Sequence, residues 1–316
     1  MNSFRRDFLK QSGFIGGAFF IGEPLKQLND LSANRLGLNF LREVSIFHTN
    51  DLHNSIEPLQ IGKRNGYGGL KNIKAVLNQS ASTHLLLDAG DFLEDAASIQ
   101  QQQQMIYAMN RIGFHASTIG NHELSKGADH LAQLVPLMKF SLVNCNYSFD
   151  HPTLAASIAS YKIIKTGRFK VGVTGVGTHQ LKTKDGISWH HPYDKANAIA
   201  TYLKKEKGCD LVICLSHLGY IQDKGPNNAE FAKASEHIDL IIGGHTEFVM
   251  PGSMILKNKL KQEVIVSHGG PGGILVKQIT FGFNAEQQKN NITCRNIVPG
   301  AAAGTSGYAE INRIMA

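Results

Sequence analysis

At 316 residues, with 42% hydrophobic and 18% charged residues, the chain can bury a large core in one or two domains, which excludes a disordered chain. Its formal charge of +7 is mildly basic and no long Lys/Arg run concentrates it, so no nucleic-acid partner is expected; a small anionic substrate fits as well. Four scattered cysteines, Cys145, Cys209, Cys214 and Cys294, form no C-x-x-C and read as thiols, not as a disulfide framework.

The N-terminus reads FRRDFLKQSGFIGGAFFIGEPL from Phe4. Arg5 and Arg6 precede a short, Gly-rich apolar stretch that is too short to make a stable membrane span. The order of charge and apolar segment fits a secretory signal, and it resembles a twin-arginine signal with Phe4 where Ser or Thr is usual. Residues 1–33 are therefore expected to act as an export segment, with the periplasm or another exported location as destination.

Downstream, 44–51 reads as a strand with a polar end, 68–79 as a helix and 84–91 as a buried strand. A helix follows over 98–113, with its glutamine run on the wet face. Residues 115–123 read as strand then loop, 128–138 as a helix disturbed by Pro136, and 140–147 as a strand. Residues 160–176 form a hairpin turning at Thr166–Gly167, and 194–208 a helix with a glycine stop. Two further strands, 209–219 and 237–247, flank a short helix, and three late strands lie between 263 and 298. Residues 299–316 read as a flexible tail closed by a short helical end. This order argues for an α/β layered domain with mixed sheets.

Five strand ends share one habit. They carry Asp51 and His53, Asp91, Asn121 and His122, His217, and His245 with Glu247. Ligands in open α/β sheets gather beyond the carboxyl ends of strands, so these residues can meet at one rim. Carboxylates, imidazoles and one carboxamide without a thiolate suit divalent metals such as Zn, Mn or Fe. Asp91, alone on its strand, is the candidate to bridge two ions, which could clamp a phosphoryl group. Each piece alone has a plainer reading as a turn, a helix cap or a satisfied core histidine. The combination is the specific signal.

HTNDLH (48–53), GNHE (120–123) and GGHTE (243–247), in this order, resemble the metallophosphatase domain of 5'-nucleotidases, within the calcineurin-like metallophosphoesterase superfamily. The resemblance covers residues 42–298 and implies a four-layer α/β/β/α sandwich with two mixed β-sheets. It implies two divalent ions, one held by Asp51, His53 and Glu247, the other by Asn121, His217 and His245, with Asp91 between them. It places His122 outside the ligand shell, facing the phosphate or the leaving oxygen.

The chain departs from that pattern twice. An aspartate commonly follows the catalytic histidine by three residues and orients it; here Ser125 stands there, with Glu123 or Asp129 as possible substitutes. Full-length relatives of the resembled family also carry a further domain that stacks the nucleoside base, and no such region is expected within these 316 residues. The expected function is an exported di-metal phosphomonoesterase acting on nucleoside 5'-monophosphates or related nucleotides by metal-bridged hydroxide attack. Alternatives are a 2',3'-cyclic nucleotide phosphodiesterase, a broad phosphatase, or a non-catalytic metal-binding subunit. A separate chain like the nucleotidase C-terminal domain is the expected partner if the base pocket is completed in trans.

Weaker signals remain. His48 and His268 are runner-up site residues. Phe92, Phe248 and Trp189 could stack on a base but read first as core. GVTGVG (172–177) reads as packing glycines in a hairpin, and SHGGPGG (267–273) as a turn that could line the site.

Overall fold

The computed structural model describes residues 42–61, 64–80, 84–221, 225–302 and 305–315. Residues 1–41, which include the expected export segment, lie outside the described residues. The strands, in chain order, are β1 (Arg42–Thr49), β2 (Leu59–Ile61), β3 (Arg64–Tyr67), β4 (His84–Asp88), β5 (Ala116–Ser117), β6 (Ser141–Leu142), β7 (Tyr147–Phe149) and β8 (Tyr161–Thr166). They continue as β9 (Phe169–Gly177), β10 (Ile187–Trp189), β11 (Leu211–His217), β12 (Leu240–Gly243), β13 (Met254–Lys257), β14 (Glu263–His268), β15 (Val276–Phe283) and β16 (Lys289–Ile297). The helices are α1 (Gly69–Asn78), α2 (Ile99–Ile112), α3 (Ala128–Leu134), α4 (Pro152–Ser157), α5 (Pro192–Lys205), α6 (Asn228–Ala234) and α7 (Gly307–Met315).

Two six-stranded sheets organise the chain, in the orders β16-β15-β1-β4-β5-β6 and β13-β14-β12-β11-β9-β8. In the first, β1, β4, β5 and β6 run parallel, and β15 runs antiparallel to both of its neighbours, β1 and β16. In the second, β9, β11, β12 and β14 run parallel between antiparallel edges β8 and β13. Both sheets are mixed, as expected.

Side-chain alternation assigns the layers. On β1 and β4, Val44, Ile46, Leu85 and Leu87 turn inward against Val171, Val173, Leu211, Ile213 and Leu215 of the second sheet. Phe47 and Leu86 turn outward, onto the cluster that includes α1, α2 and α3. Val212 and Cys214 turn to the other outside, onto Ala196, Ala200, Leu203 and Phe231 of α5 and α6. The result is helix, sheet, sheet, helix. Leu215 is fully buried between the sheets, and trimming it to alanine would cost about 2–5 kcal/mol.

Local differences from the sequence expectations have local causes. The strand expected over 140–147 is two short pieces in different sheets. The side chain of Asn144 accepts the backbone N–H groups of Asn146 and Tyr147, and Asn146 pairs with the N–H and C=O of Gly177, so side chains replace the ladder there. The glutamine run is not wholly wet. Gln102 is buried, donating to the Glu94 carbonyl and facing His130. Pro136 ends α3 at Leu134 and leaves a single 3₁₀ turn, Val135–Leu137. The hairpin turns at Gly167, in the left-handed region at φ 57°. At the C-terminal end, α7 brings Ile311 against Tyr67, Leu275 and Val298, and the Tyr67 hydroxyl donates to Glu310. Among the described residues, no helix is long and apolar enough to cross a membrane. The four cysteines are free thiols, with Cys209 and Cys214 buried and Cys145 and Cys294 half-buried.

Candidate metal centre

The loops that leave β1, β4, β5 and β12 meet the end of β11 at one rim; His217 is the last residue of β11, and the other candidates lie on the loops. The loop after β1 keeps pairing beyond its strand: Asp51, His53 and Asn54 donate their backbone N–H groups to the carbonyls of Gly90, Asp91 and Phe92. Below them Asp88 is buried and latches three loops, accepting from Thr49 Oγ1 at 2.6 Å, Ser117 Oγ at 2.8 Å and the Gly90 N–H at 2.9 Å. Burial pushes its carboxyl up to about 7 despite these bonds.

The backbone is distorted here. Nine described non-glycine residues have positive φ, and five of them are Asp51, His53, Asp91, His245 and Glu247. Such conformations cost roughly 1–3 kcal/mol each and persist only where surrounding contacts impose them, so strain is concentrated at this rim.

Asn121, His122 and Glu123 stand in a row because each has a different task. Asn121 Oδ1 lies 2.8 Å from His245 Nδ1. His122 donates its backbone N–H to Asp91 Oδ1 at 2.8 Å, and its half-buried ring projects between Asp91 and the segment Glu94–Asp95. Glu123 turns inward and accepts the N–H groups of Asp91, Gly120 and Leu93 at 2.8–2.9 Å, which ties the β4 loop to the β5 loop. Burial first, then the charge of Asp91, raise its carboxyl to about 8 against those hydrogen bonds.

Asp91 is the hub. Its Oδ2 lies 2.9 Å from His217 Nε2 and 3.9 Å from His122 Nε2. His217 Nδ1 lies 2.7 Å from the carbonyl of Ala89 and can only donate to it, which fixes the ring with Nε2 toward Asp91. The Nε2–Asp91 contact is short but out of line for a hydrogen bond, so we read it as an ion pair. Burial alone would lower the His217 pKa, but the charges of Asp91 and Asp51 raise it to about 10. Burial likewise opposes ionisation of Asp91, yet the imidazolium of His217 and the neighbouring His122 hold it at about 2. His245 moves the other way, to about 4, through burial and then the charge of His217.

The remaining candidates close the ring. Asp51 is buried, accepts the His245 N–H at 3.0 Å and the Asn50 amide at 2.6 Å, and sits 3.9 Å from His217. His53 Nε2 faces Glu247 at 3.4 Å and its Nδ1 faces Glu94 at 3.3 Å. Donor atoms of Asp91, His217 and His245 lie within 4.8 Å of one another, and so do those of His53, Asp91 and His122. All eight residues singled out in the sequence are therefore brought together, and Asp91 belongs to both groups. His122 lies in the second of these groups.

Both ring nitrogens of His53, Nδ1 of His122 and Nε2 of His217 are buried without a hydrogen-bond partner. Buried polar atoms are normally paired. Orphaned imidazole nitrogens facing carboxylates form a donor set that divalent cations would satisfy, so the residues present fit a metal centre.

Sequence reading missed four contributors. Glu94 and Asp95 follow the Asp91 turn directly, and that acidic pair was the available signal. Asn50 clamps Asp51 and accepts the Gly269 N–H, which gives the glycine-rich 267–273 turn a role beneath the site. Gln180 Oε1 lies 3.3 Å from His245 Nε2, from a loop with no sequence signal. Neither suggested substitute for the aspartate at 125 reaches the His122 ring: Glu123 is engaged with backbone, and exposed Asp129 faces His151. His48 and His268 are buried beside Ser267 and Asn228. Phe92 is core, Trp189 is half-buried, and Phe248 is exposed and stacked on Tyr220 at 5.3 Å.

Residues 44–246 match the family model described as calcineurin-like phosphoesterase. The snake venom 5'-nucleotidase of Naja atra is 29% identical over 232 residues, which cover 67% of this chain and 42% of that protein. The 5'-nucleotidase of Vibrio cholerae is 25% identical over 242 residues, covering 69% and 43%. The 5'-nucleotidase precursor of Thermus thermophilus shares the fold at a TM-score of 0.73 and 23% identity, covering 87% of this chain and 58% of that one. The chain thus spans less than half the length of these two curated relatives. With the rim geometry, the two mixed sheets and the family match in agreement, the chain belongs to the calcineurin-like phosphoesterase family.

Proposed function

We propose that the chain is a divalent-metal phosphomonoesterase acting on nucleoside 5'-monophosphates or related phosphate esters. The observation that carries this reading is the double membership of Asp91 in two donor groups. Asp51, His53 and Glu247 would serve one cation, Asn121, His217 and His245 the other, with Asp91 between. Zn, Mn or Fe suits these ligands. Bound cations would polarise phosphoryl oxygens and lower the pKa of water at the rim. The chain's own residues do the rest. The Ala89 carbonyl orients His217, Glu123 fixes the two loops that carry Asp91 and Asn121, and the His122 ring offers a proton to the leaving oxygen.

As part of the proposal, nucleoside selection is assigned to a separate polypeptide that docks beside the strand ends, because specificity for a base needs a shaped pocket that two cations gripping phosphate do not provide. Export through the twin-arginine route belongs to the same reading, on the strength of Arg5 and Arg6. Replacing both with lysine should hold the protein in the cytoplasm; undiminished export would refute the route.

Hydrolysis of a chromogenic phosphate monoester with added Mn²⁺ tests the activity. We expect turnover that a chelator abolishes and metal restores. A protein that binds two metals and hydrolyses no phosphate ester would instead be a non-catalytic subunit.

A further inference from the structure

His122 is held from a side that its own loop does not supply. Its Nε2 looks toward Asp91 at 3.9 Å, and its Nδ1 lies 2.9 Å from Asp95 Oδ1. Both His122 Nδ1 and Asp95 Oδ1 are buried and have no hydrogen-bond partner elsewhere. They are close enough to bond but out of line, so the contact stands as an ion pair. The carboxylate is itself braced. Lys182 pairs with its other oxygen, and Ser125, three residues after His122, donates to the His122 backbone carbonyl at 2.9 Å and stands beside the Asp95 carboxylate. A serine at 125 has no charge to offer the ring, and Asp95 arrives from the β4 loop instead.

We propose that Asp95 is the positioning residue for His122, a carboxylate supplied from a different loop than the one that carries the histidine. The inference rests on the phosphomonoesterase reading above. With Nδ1–H directed at Asp95, Nε2 is left facing the rim. When the ester P–O bond breaks, the leaving oxygen takes the proton from Nε2, while water provides the oxygen that replaces it at phosphorus. Asp95 keeps its charge throughout and takes no proton. Burial opposes that charge, but Lys182, Ser125 and His122 together hold the carboxyl below its usual value.

The test is Asp95→Asn in the full chain, loaded with Mn²⁺ and assayed with a chromogenic phosphate monoester. We expect kcat to fall by roughly 10- to 10³-fold, part of the 10²–10⁴ that a general acid supplies, with KM and bound metal unchanged. The double variant Asp95→Ser/Ser125→Asp, which returns the carboxylate to the histidine's own loop, should recover most of the loss. Nitrogen NMR of His122 gives a readout independent of turnover. In the neutral ring left after Nε2 has given up its proton, the wild type should keep the remaining proton on Nδ1, and Asp95→Asn should lose that preference. Lys182→Met removes the brace but leaves the Asp95 carboxylate in place, and should lower kcat less than Asp95→Asn does. Wild-type kcat in Asp95→Asn, loss of metal from it, or an equal loss in Lys182→Met would overturn the proposal. A wild type that hydrolyses no ester defeats the functional reading instead, and the NMR comparison still decides the contact.

Discussion

Asp91 Oδ2 and His217 Nε2 lie 2.9 Å apart, and this contact joins the two sheets. Asp91 follows β4 of the first sheet and His217 ends β11 of the second. A single carboxylate thus holds the seam at which both donor groups meet.

Asp91→Asn should weaken both metal sites with one change, because Asp91 belongs to each donor group. The expected result is a larger loss of bound metal than for His53→Ala or His245→Ala, measured by elemental analysis after dialysis. A variant that keeps one ion at full occupancy would show that Asp91 does not bridge.

His122→Ala should behave differently. Metal content should stay as in the wild type while turnover falls by roughly 10²–10⁴-fold, the range for a lost general acid. His122 lies within 4.8 Å of donor atoms of His53 and Asp91, so stripping of a metal is the informative alternative: it would make His122 a ligand.

Gly120→Ala should damage the centre without touching a donor. A Cβ at Gly120 would sit 2.1 Å from Asp91 Oδ1 and 2.8 Å from the Asp91 backbone nitrogen. The side chain of Asp91 has to move, at a cost of about 1–3 kcal/mol in stability. Metal titration and a thermal melt should both report the loss. Wild-type metal affinity in this variant would mean that the loop has slack that the packing does not show.

Asp239 offers a pH test away from the metals. It is buried, accepts the Val212 N–H at 2.8 Å and pairs with Lys204 and Lys289. Burial raises its pKa, but the two lysines more than offset this and the net shift is downward. A depressed folded pKa gives stability that is complete above the unfolded value and is lost as pH falls through the folded one. The stability gap between wild type and Asp239→Asn should be constant above about pH 4 and shrink below it. Urea unfolding in the presence of chelator measures the gap, and one that persists unchanged into acid would contradict the sign.

Substrate preference tests where the base is read. The purified chain should show little preference between AMP and a simple phosphate ester in kcat/KM. A preference of a hundredfold or more, ~2.7 kcal/mol of transition-state discrimination, would mean that the chain has a base site of its own. Exposed Phe248, stacked on Tyr220 beside Glu247, would be the first residue to replace.

Much of this molecule is legible in one dimension. Period-two alternation in β1, β4 and β11 marks which side chains lie between the sheets, because adjacent residues of a strand face opposite ways. Strand ends that release Asp51, Asp91, Asn121, His217 and His245 can be read in the same manner, since parallel strands deliver their ends to one rim. The 140–147 segment was misread because Asn144 and Asn146 use side chains where a strand would use its ladder, and periodicity does not register that substitution.

What the sequence by itself determined is the set of residues that gather at the rim and the order of the layers, both consequences of chain-local patterns: residue type, alternation and strand-end position. Only the tertiary structure decided how those residues are held. Glu123 as a clamp on three backbone N–H groups, the left-handed backbone at Asp51, His53 and Asp91, and Asp95 beside His122 all depend on loops from different strands meeting. Ser125 looks like a missing charge because sequence spacing measures distance along the chain. The charge that faces His122 stands 27 residues earlier, at Asp95, and only the parallel packing of β4 beside β5 brings the two loops within reach.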